Sequence, residues 1–271
     1  MDSVLSQQFL DYEIIAVNDG STDATDEYLS LLASAGKITY VKQRNLGPAA
    51  ARNTGVKAAR GIYLAFTDDD CVVPPHWLQR FVEAFSQSEV EIVGGIVKNC
   101  IQRNIYSEVS QEIVNHLVTF LNENGHAHGF LTSNNIAYRT QVIRDAGGFD
   151  ERFRVAGGEE RALNAAILRR CGKSLLLPDV VVDHYHAMTA RTFFRQQRNY
   201  GRGSYRLYHR QSAPPRIPLT AYTTLAASWL EMQPLAGLRK VALLLAAQMM
   251  VACGFIAETV FPHLDSHEAG T

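Results

Sequence analysis

The stretch NLGPAAARNTGVKAARGIYLAFTDDD, residues 45–70, decides the fold. Pro48 marks a helix start, because its missing N–H is one of the donors that a first turn leaves unpaired anyway. The helix it opens stops at Gly61, and IYLAF (62–66) then has the length and apolar character of a buried strand. Asp68, Asp69 and Asp70 close it. Three like charges at a strand end repel one another unless water or a cation surrounds them.

The same order of elements recurs on both sides. Upstream, YEIIAV (12–17) reads as a strand ended by the turn residues NDGSTD; a helix runs to about Ala35, and ITYVK (38–42) is the next strand. Downstream, PHWLQRFVEAF is an amphipathic helix and VEIVGGIV (90–97) a strand. This β-α-β-α rhythm predicts an α/β fold with a mainly parallel sheet flanked by helices. The second half is less regular. We expect a helix over 106–123, a strand at NNIAYR (134–139), a turn-rich GGFDERF, and a helix EERALNAAILRR closed by Gly172. Two short strands in LLLPDVVVDH and a basic, aromatic helix over 189–209 follow. PPRIP (214–218) then breaks the chain, which divides it into an α/β domain (1–210) and a C-terminal helical extension (211–271).

Bulk properties narrow the function. With 46% hydrophobic and 20% charged residues, 271 residues build an ample core. A formal net charge of −1 supplies no global basic field, which argues against nucleic acid as a partner. The four cysteines are far apart with no CxxC, which suits reduced thiols in the cytoplasm better than disulfides or a zinc site. Residues 2–9 lack the basic start and apolar run of a signal peptide. Residues 241–257, VALLLAAQMMVACGFIA, carry no charge and one strongly polar residue, Gln248. Seventeen residues is the short limit for a span, and Arg239-Lys240 could anchor the segment at lipid headgroups. A buried or interfacial helix and peripheral contact with the inner face of a membrane both remain open.

Residues i and i+2 of a strand point the same way. If strand geometry persists past Phe66, Asp68 and Asp70 share one side and Asp69 faces the other. Two carboxylates on one side can hold a hard divalent cation such as Mg²⁺ or Mn²⁺. The site also lies at the carboxyl end of a strand, where open α/β sheets bind ligands. The bland alternative is a solvated turn capping the next helix. A second acidic turn, NDGSTD, places Asp19 where it could bond a ribose hydroxyl or a base N–H, or simply cap a helix. His184 and His186, in DHYH, also share one side of an extended chain.

In order along the chain, VNDGSTD, NLGPAAARNTGVKAARGIYLAFTDDD, NNIAYR with GGFDERF, and GGEE heading a helix resemble the family 2 glycosyltransferases, from residue 2 to about 205. The resemblance implies the GT-A fold and an inverting, usually metal-dependent transfer from a nucleoside-diphosphate sugar to a saccharide or lipid-linked acceptor, as in cell-envelope polysaccharide synthesis. It implies that Asp19 contacts the nucleoside and that Arg52 and Asn53 line the nucleotide pocket. Asp68 and Asp70 match the outer positions of the DxD motif that meets metal and diphosphate; Asp69 is the middle one, which some relatives use for metal. Glu160 takes the place of the general base, where the family usually has Asp, with Glu159 beside it toward the acceptor. Successive helix residues point ~100° apart, so only one faces the acceptor well. His184 and His186 are expected at the metal, Arg195, Arg198 and Arg202 at the diphosphate, and Asn134 and Asn135 at the acceptor pocket.

The resemblance also implies a central strand that residues 1–271 do not supply, between YEIIAV and IYLAF. Three outcomes follow: a start upstream of Met1, a gapped or re-paired sheet, or another chain in the slot. Two rival readings accompany the family one. DDDCV fits DxDx[TV] of aspartate-nucleophile phosphatases, with Asp68 as nucleophile and Asp70 as acid/base. An inactive nucleotide-sugar-binding domain would fit an incomplete sheet.

Overall fold

The computed structural model describes residues 1–123, 129–154, 157–170, 172–210 and 217–260. A short α1 (Asp2–Leu5) precedes β1 (Ile15–Asp19), α2 (Thr25–Ser34), β2 (Thr39–Gln43), α3 (Pro48–Ala58) and β3 (Tyr63–Phe66). Next come β4 (Cys71–Val72), α4 (Trp77–Gln87), β5 (Ile92–Asn99), α5 (Ile105–Glu123), β6 (Ile136–Arg139) and α6 (Thr140–Asp145). The chain continues through α7 (Glu159–Leu168), β7 (Ser174–His184), α8 (Ala190–Arg210), α9 (Leu219–Met232) and α10 (Pro234–Val260). Each expected helix is present with shifted ends, and so is each expected strand except the two in LLLPDVVVDH. Asn18 and Asp19 belong to β1 rather than to a turn.

The strands form two sheets: β1-β2, and β3-β6-β5-β7-β4. Pairing is mixed. β1–β2 and β5–β7 are parallel, as the β-α-β-α rhythm requires, but β6 enters antiparallel between β3 and β5, and β4 pairs antiparallel with β7. The reversed strands are β4, before β5, and β6, after it; β7 keeps the direction of β5. LLLPDVVVDH is one strand, not two: the register steps from Gly95↔Leu177 to Ile96↔Val181, so 178–180 bulge out of the ladder. The bulge is pinned by Asn135, whose Nδ2 donates to Ile96 O (2.8 Å) and Val180 O (3.0 Å). A Cβ at Gly95 would lie 2.1 Å from Val180 O, so only glycine lets the two backbones meet there.

Side-chain alternation divides the core. Ile92, Ile136 and Tyr138 pack with Val56, Ile143, Phe149 and Leu163 on the α3/α6/α7 side. Val93 and Ala137 face Trp77, Phe81 and Phe85 of α4 on the other. A third cluster joins α5 and α8 to α9 and α10 through Val109, Leu117, Phe193, Trp229 and Leu244.

In residues 1–271 the sheet is open at the place expected for the central strand. Among the described residues β1 pairs with β2 alone and β3 with β6 alone. Between them lies a cavity of ≈ 1500 Å³, lined by consecutive residues of both strands, Glu13 to Asp19 and Arg60 to Asp70. Consecutive rather than alternate lining means that strand edges, not faces, meet the cavity. Tyr63, Leu64, Ala65 and Phe66 are accordingly only half-buried, whereas Ile92 and Val93 of β5 are sealed. Hydrogen exchange should therefore be faster at amides of Ile15–Asp19 and Tyr63–Phe66 than at 92–97. Equal protection in both sets would mean that the slot closes in solution.

Candidate donor and metal site

β1 and β3 deliver their carboxyl ends to one end of this cavity, and α3, α7 and β7 supply its remaining charge. Asp19, Arg52, Asp68, Asp69, Asp70, Asn134, Glu159, Glu160, His184 and His186 all line it. The carboxylates of the two acidic strand ends and the GGEE helix thus converge, as the sequence reading requires.

The expected pairing of Asp68 with Asp70 does not occur. β3 stops at Phe66, and Cys71 N donates to Asp68 O (3.2 Å), so the chain turns instead of staying extended. The turn gives the two carboxylates different partners, and Asp68 is not among the groups gathered with Asp70. Asp68 accepts from Arg52 Nη2 at 3.2 Å. Asp70 faces the histidines: His186 Nδ1 lies 3.1 Å from Oδ2 and His184 Nε2 3.3 Å from Oδ1. β7 does stay extended through His184, and the two imidazoles stack 5.4 Å apart.

Asp70, His184 and His186 offer ligand atoms within 4.8 Å of one another. The surroundings fit a cation. His184 Nδ1 lies 3.0 Å from Gln111 Oε1, which holds the ring in place. Gln111 is held in turn by Asn115, and Asn115 by Val97 O. The relay orients the ring so that Nε2 faces the Asp70 carboxylate, and a metal between them would be held by both. Burial would lift the Asp70 carboxyl, but hydrogen bonds and charge from His184 and His186 outweigh it and hold it well below the usual range. The bond to Asp70 raises His186.

Arg52 organises the opposite wall. Its Nη1 donates to Glu159 Oε1 at 2.7 Å, and both side chains are largely sealed, 14% and 2% exposed. Glu159 Oε2 also accepts from Gly157 N (2.9 Å). Glu160, one position on, points elsewhere along the cavity wall. Desolvation first, and the Glu159 charge second, push its carboxyl up to about 8. In Asp68, desolvation outweighs the opposing pull of Arg52 and raises the carboxyl, with Asp70 adding to it. Cys71 is pushed up to about 12 by burial and then by Asp68 and Asp70, so its thiol is no nucleophile at neutral pH.

Family membership follows from comparison. The model of glycosyl transferase family 2 matches residues 1–147, more than half of the chain. The chain belongs to that family. An uncharacterised glycosyltransferase of Bacillus subtilis, EpsJ, is 42% identical over 108 residues, 39% of this chain and 31% of the relative. One from Nostoc, alr2836, is 35% identical over 152 residues, 53% and 46%. The chain therefore spans a third to a half of the length of these curated relatives. A mannosyltransferase from Pyrobaculum calidifontis, solved with GDP-mannose and Mn²⁺, superposes with a TM-score of 0.60 at 19% identity, covering 96% of this chain and 76% of that one. The likeness fixes the fold as that of the GT-A glycosyltransferases, and the family match displaces the phosphatase reading.

Several residues singled out in this family 2 chain have structural partners instead of cavity positions. Asn53 donates to Phe149 O and Glu151 and accepts from Phe149 N, tying α3 to the 149–151 loop. Asn135 pins the β7 bulge and accepts from Trp77 Nε1. Arg195 and Arg198 do not line the cavity, and Arg202 bonds Glu258 at 2.7 Å. Asp19 lines it, yet its carboxylate is already occupied by Gln43, Leu46 N and Gly47 N, which fix the entry to α3. Gln111, Gln196 and Tyr200 of α5 and α8 line the cavity and had no sequence signal, since each is one ordinary residue on a long helix. Replacing Arg52 by Met should leave Glu159 buried and unpaired, at a cost of about 3–5 kcal/mol. Chemical denaturation should show the loss; Glu159→Gln in the same background should restore part of it.

Proposed function

We propose that this family 2 glycosyltransferase moves a sugar from a nucleoside-diphosphate sugar to an acceptor hydroxyl by a single displacement with inversion, assisted by Mn²⁺. The observation that carries the reading is a shared cavity in which a desolvated carboxyl with a raised pKa, Glu160, borders the same space as the Asp70–histidine cluster. Of the two adjacent glutamates, Glu159 is held by Arg52 and Gly157 N; Glu160 alone is left to take the acceptor proton as the hydroxyl attacks the anomeric carbon. Tyr200, beside it on the cavity wall, is raised by burial and by both glutamates, and so stays protonated.

Two imidazoles and one carboxylate suit Mn²⁺ better than Mg²⁺, which prefers an all-oxygen shell. When bound there, the ion supplies positive charge next to the departing diphosphate. Arg52 holds Asp68 at the cavity rim, and Asp69 projects exposed beside it. The donor class is supported by the GDP-mannose complex of the structural neighbour. The acceptor is a saccharide or a lipid-linked saccharide, with Asn134 on the acceptor side, and the enzyme works in the cytoplasm against the inner membrane face.

A base held protonated up to about 8 makes kcat/KM rise with pH toward that value. The folded state keeps a proton that the unfolded chain releases near the ordinary glutamate value of 4.5, so the stability Glu160 contributes falls as pH climbs from there through about 8. Glu160→Gln should remove both dependences and lower turnover ~10²–10⁴-fold while nucleotide still binds. Near-normal turnover, or nucleotide binding with no turnover by the parent chain, would sink the reading. Mn²⁺ titration followed by electron paramagnetic resonance should show Asp70→Asn weakened by roughly tenfold or more, at least the scale produced by losing an outer ligand partner. Unchanged affinity would place the ion elsewhere.

A further inference from the structure

Surface apolarity is concentrated in one part of the molecule. Among the described residues, nine of the sixteen exposed large apolar side chains fall between Leu219 and Val260. On α10 they recur at Leu238, Leu245, Met249, Ile256 and Val260, each 58–63% exposed. Steps of seven and four residues put them on one face of a helix. Between Lys240 and Glu258 that helix has no charged residue at all.

The opposite face of α10 is committed to the fold. At Gly201 of α8 a Cβ would lie 1.9 Å from Val251 O, and at Gly254 a Cβ would lie 2.0 Å from Arg198 O, so the helices touch backbone to backbone. Arg202 and Arg206 of α8 both donate to the buried Glu258 of α10 (2.7 and 2.8 Å). Lys240 bonds Glu108 (2.6 Å) and Glu112 (2.8 Å) of α5. A helix fastened in this way cannot cross a bilayer without dragging α8, with its six arginines, into hydrocarbon.

Charge identifies what covers the free face. Residues 189–260 contain nine Lys and Arg against two Glu, a formal +7, while the remainder of the chain carries −8. Arg191 and Arg195 at the start of α8 and Arg239 on α10 are exposed. Two copies meeting through this face would bring like charges together; an anionic surface would not. We infer that the outer face of α10 docks in the plane of an anionic lipid bilayer, its apolar stripe seated among acyl chains and the arginines around it at the headgroups.

This inference does not depend on the transfer chemistry, so Glu160→Gln must bind vesicles as the parent does, whatever its turnover. The full chain is floated with phosphatidylcholine vesicles with and without phosphatidylglycerol. Binding should be roughly tenfold or more tighter with the anionic lipid, should weaken in high salt, and should be released by alkaline carbonate. Leu245→Glu with Met249→Glu, both at exposed positions, should abolish binding without changing the circular dichroism or melting temperature. Arg191→Glu with Arg239→Glu should erase the lipid preference. Equal flotation of the parent and the Leu245/Met249 variant would overturn the proposal, as would resistance to carbonate. A dimer by light scattering that the same variant dissolves, with no flotation of the parent, would assign the face to a second copy instead.

Discussion

The site depends on the buried ion pair between Arg52 and Glu159. Taking two charges out of water is costly, and a salt bridge in such a place is weak support for stability. Its consequence is positional. Arg52 stands on α3, Glu159 opens α7, and Asp68 ends β3, so one guanidinium joins three elements that sequence separates by as much as 107 residues. The pair consumes one of two adjacent carboxylates and frees the other. Arg52 also takes Asp68 as a partner, while Asp70 bonds the histidines.

The open sheet constrains the same region. The cavity that reaches Glu160 and the histidines also runs between β1 and β3, so the walls of the site are strands with one unpaired edge. Buried backbone donors and acceptors need partners, and edges facing a cavity find them in water. β1 is attached to the rest chiefly through α3, whose first turn is fixed by Asp19, and through the Glu13 carboxylate, which accepts from Arg60 N and Gly61 N. The wall made by β1 and β2 is thus held by side-chain and turn contacts, the opposite wall by a five-stranded ladder.

Much of this was legible in the sequence, and the failures have definite causes. Strand and helix positions follow from periodicity and from Pro48, Gly36 and Gly61. The histidine pair follows from i, i+2 spacing because β7 really is extended at His184. The same rule fails at Asp68 and Asp70 because two residues after Phe66 the backbone turns back on itself. Direction of the later strands is invisible to patterning, since an apolar run such as IAYR reads alike in a parallel or antiparallel ladder. Asn53 and Asn135 show a different limit. An amide near a site looks like a ligand contact in sequence, but both ends of each are taken by long-range partners, backbone groups for Asn53 and backbone plus the Trp77 indole for Asn135. Gln111 shows the reverse: it orients the His184 ring from a helix 73 residues away, and nothing local distinguishes it.

Acid–base assignment then reduces to what separates two chemically identical neighbours. Glu159 and Glu160 share a helix turn and the favourable positive end of α7. One is given a guanidinium and a backbone N–H; the other is given the first one's negative charge at close range and little water. Desolvation and the neighbouring Glu159 raise the proton affinity of Glu160, which suits it to the base role proposed for it. A methylene longer than aspartate, Glu160 can reach further from the helix while its neighbour stays tied. The tie needs the left-handed glycine at 158 to start the helix and the Gly157 N–H to face Glu159. GGEE is therefore a single device: two glycines shape the turn, the first glutamate locks it, and the second is left with a proton affinity suited to chemistry near neutral pH.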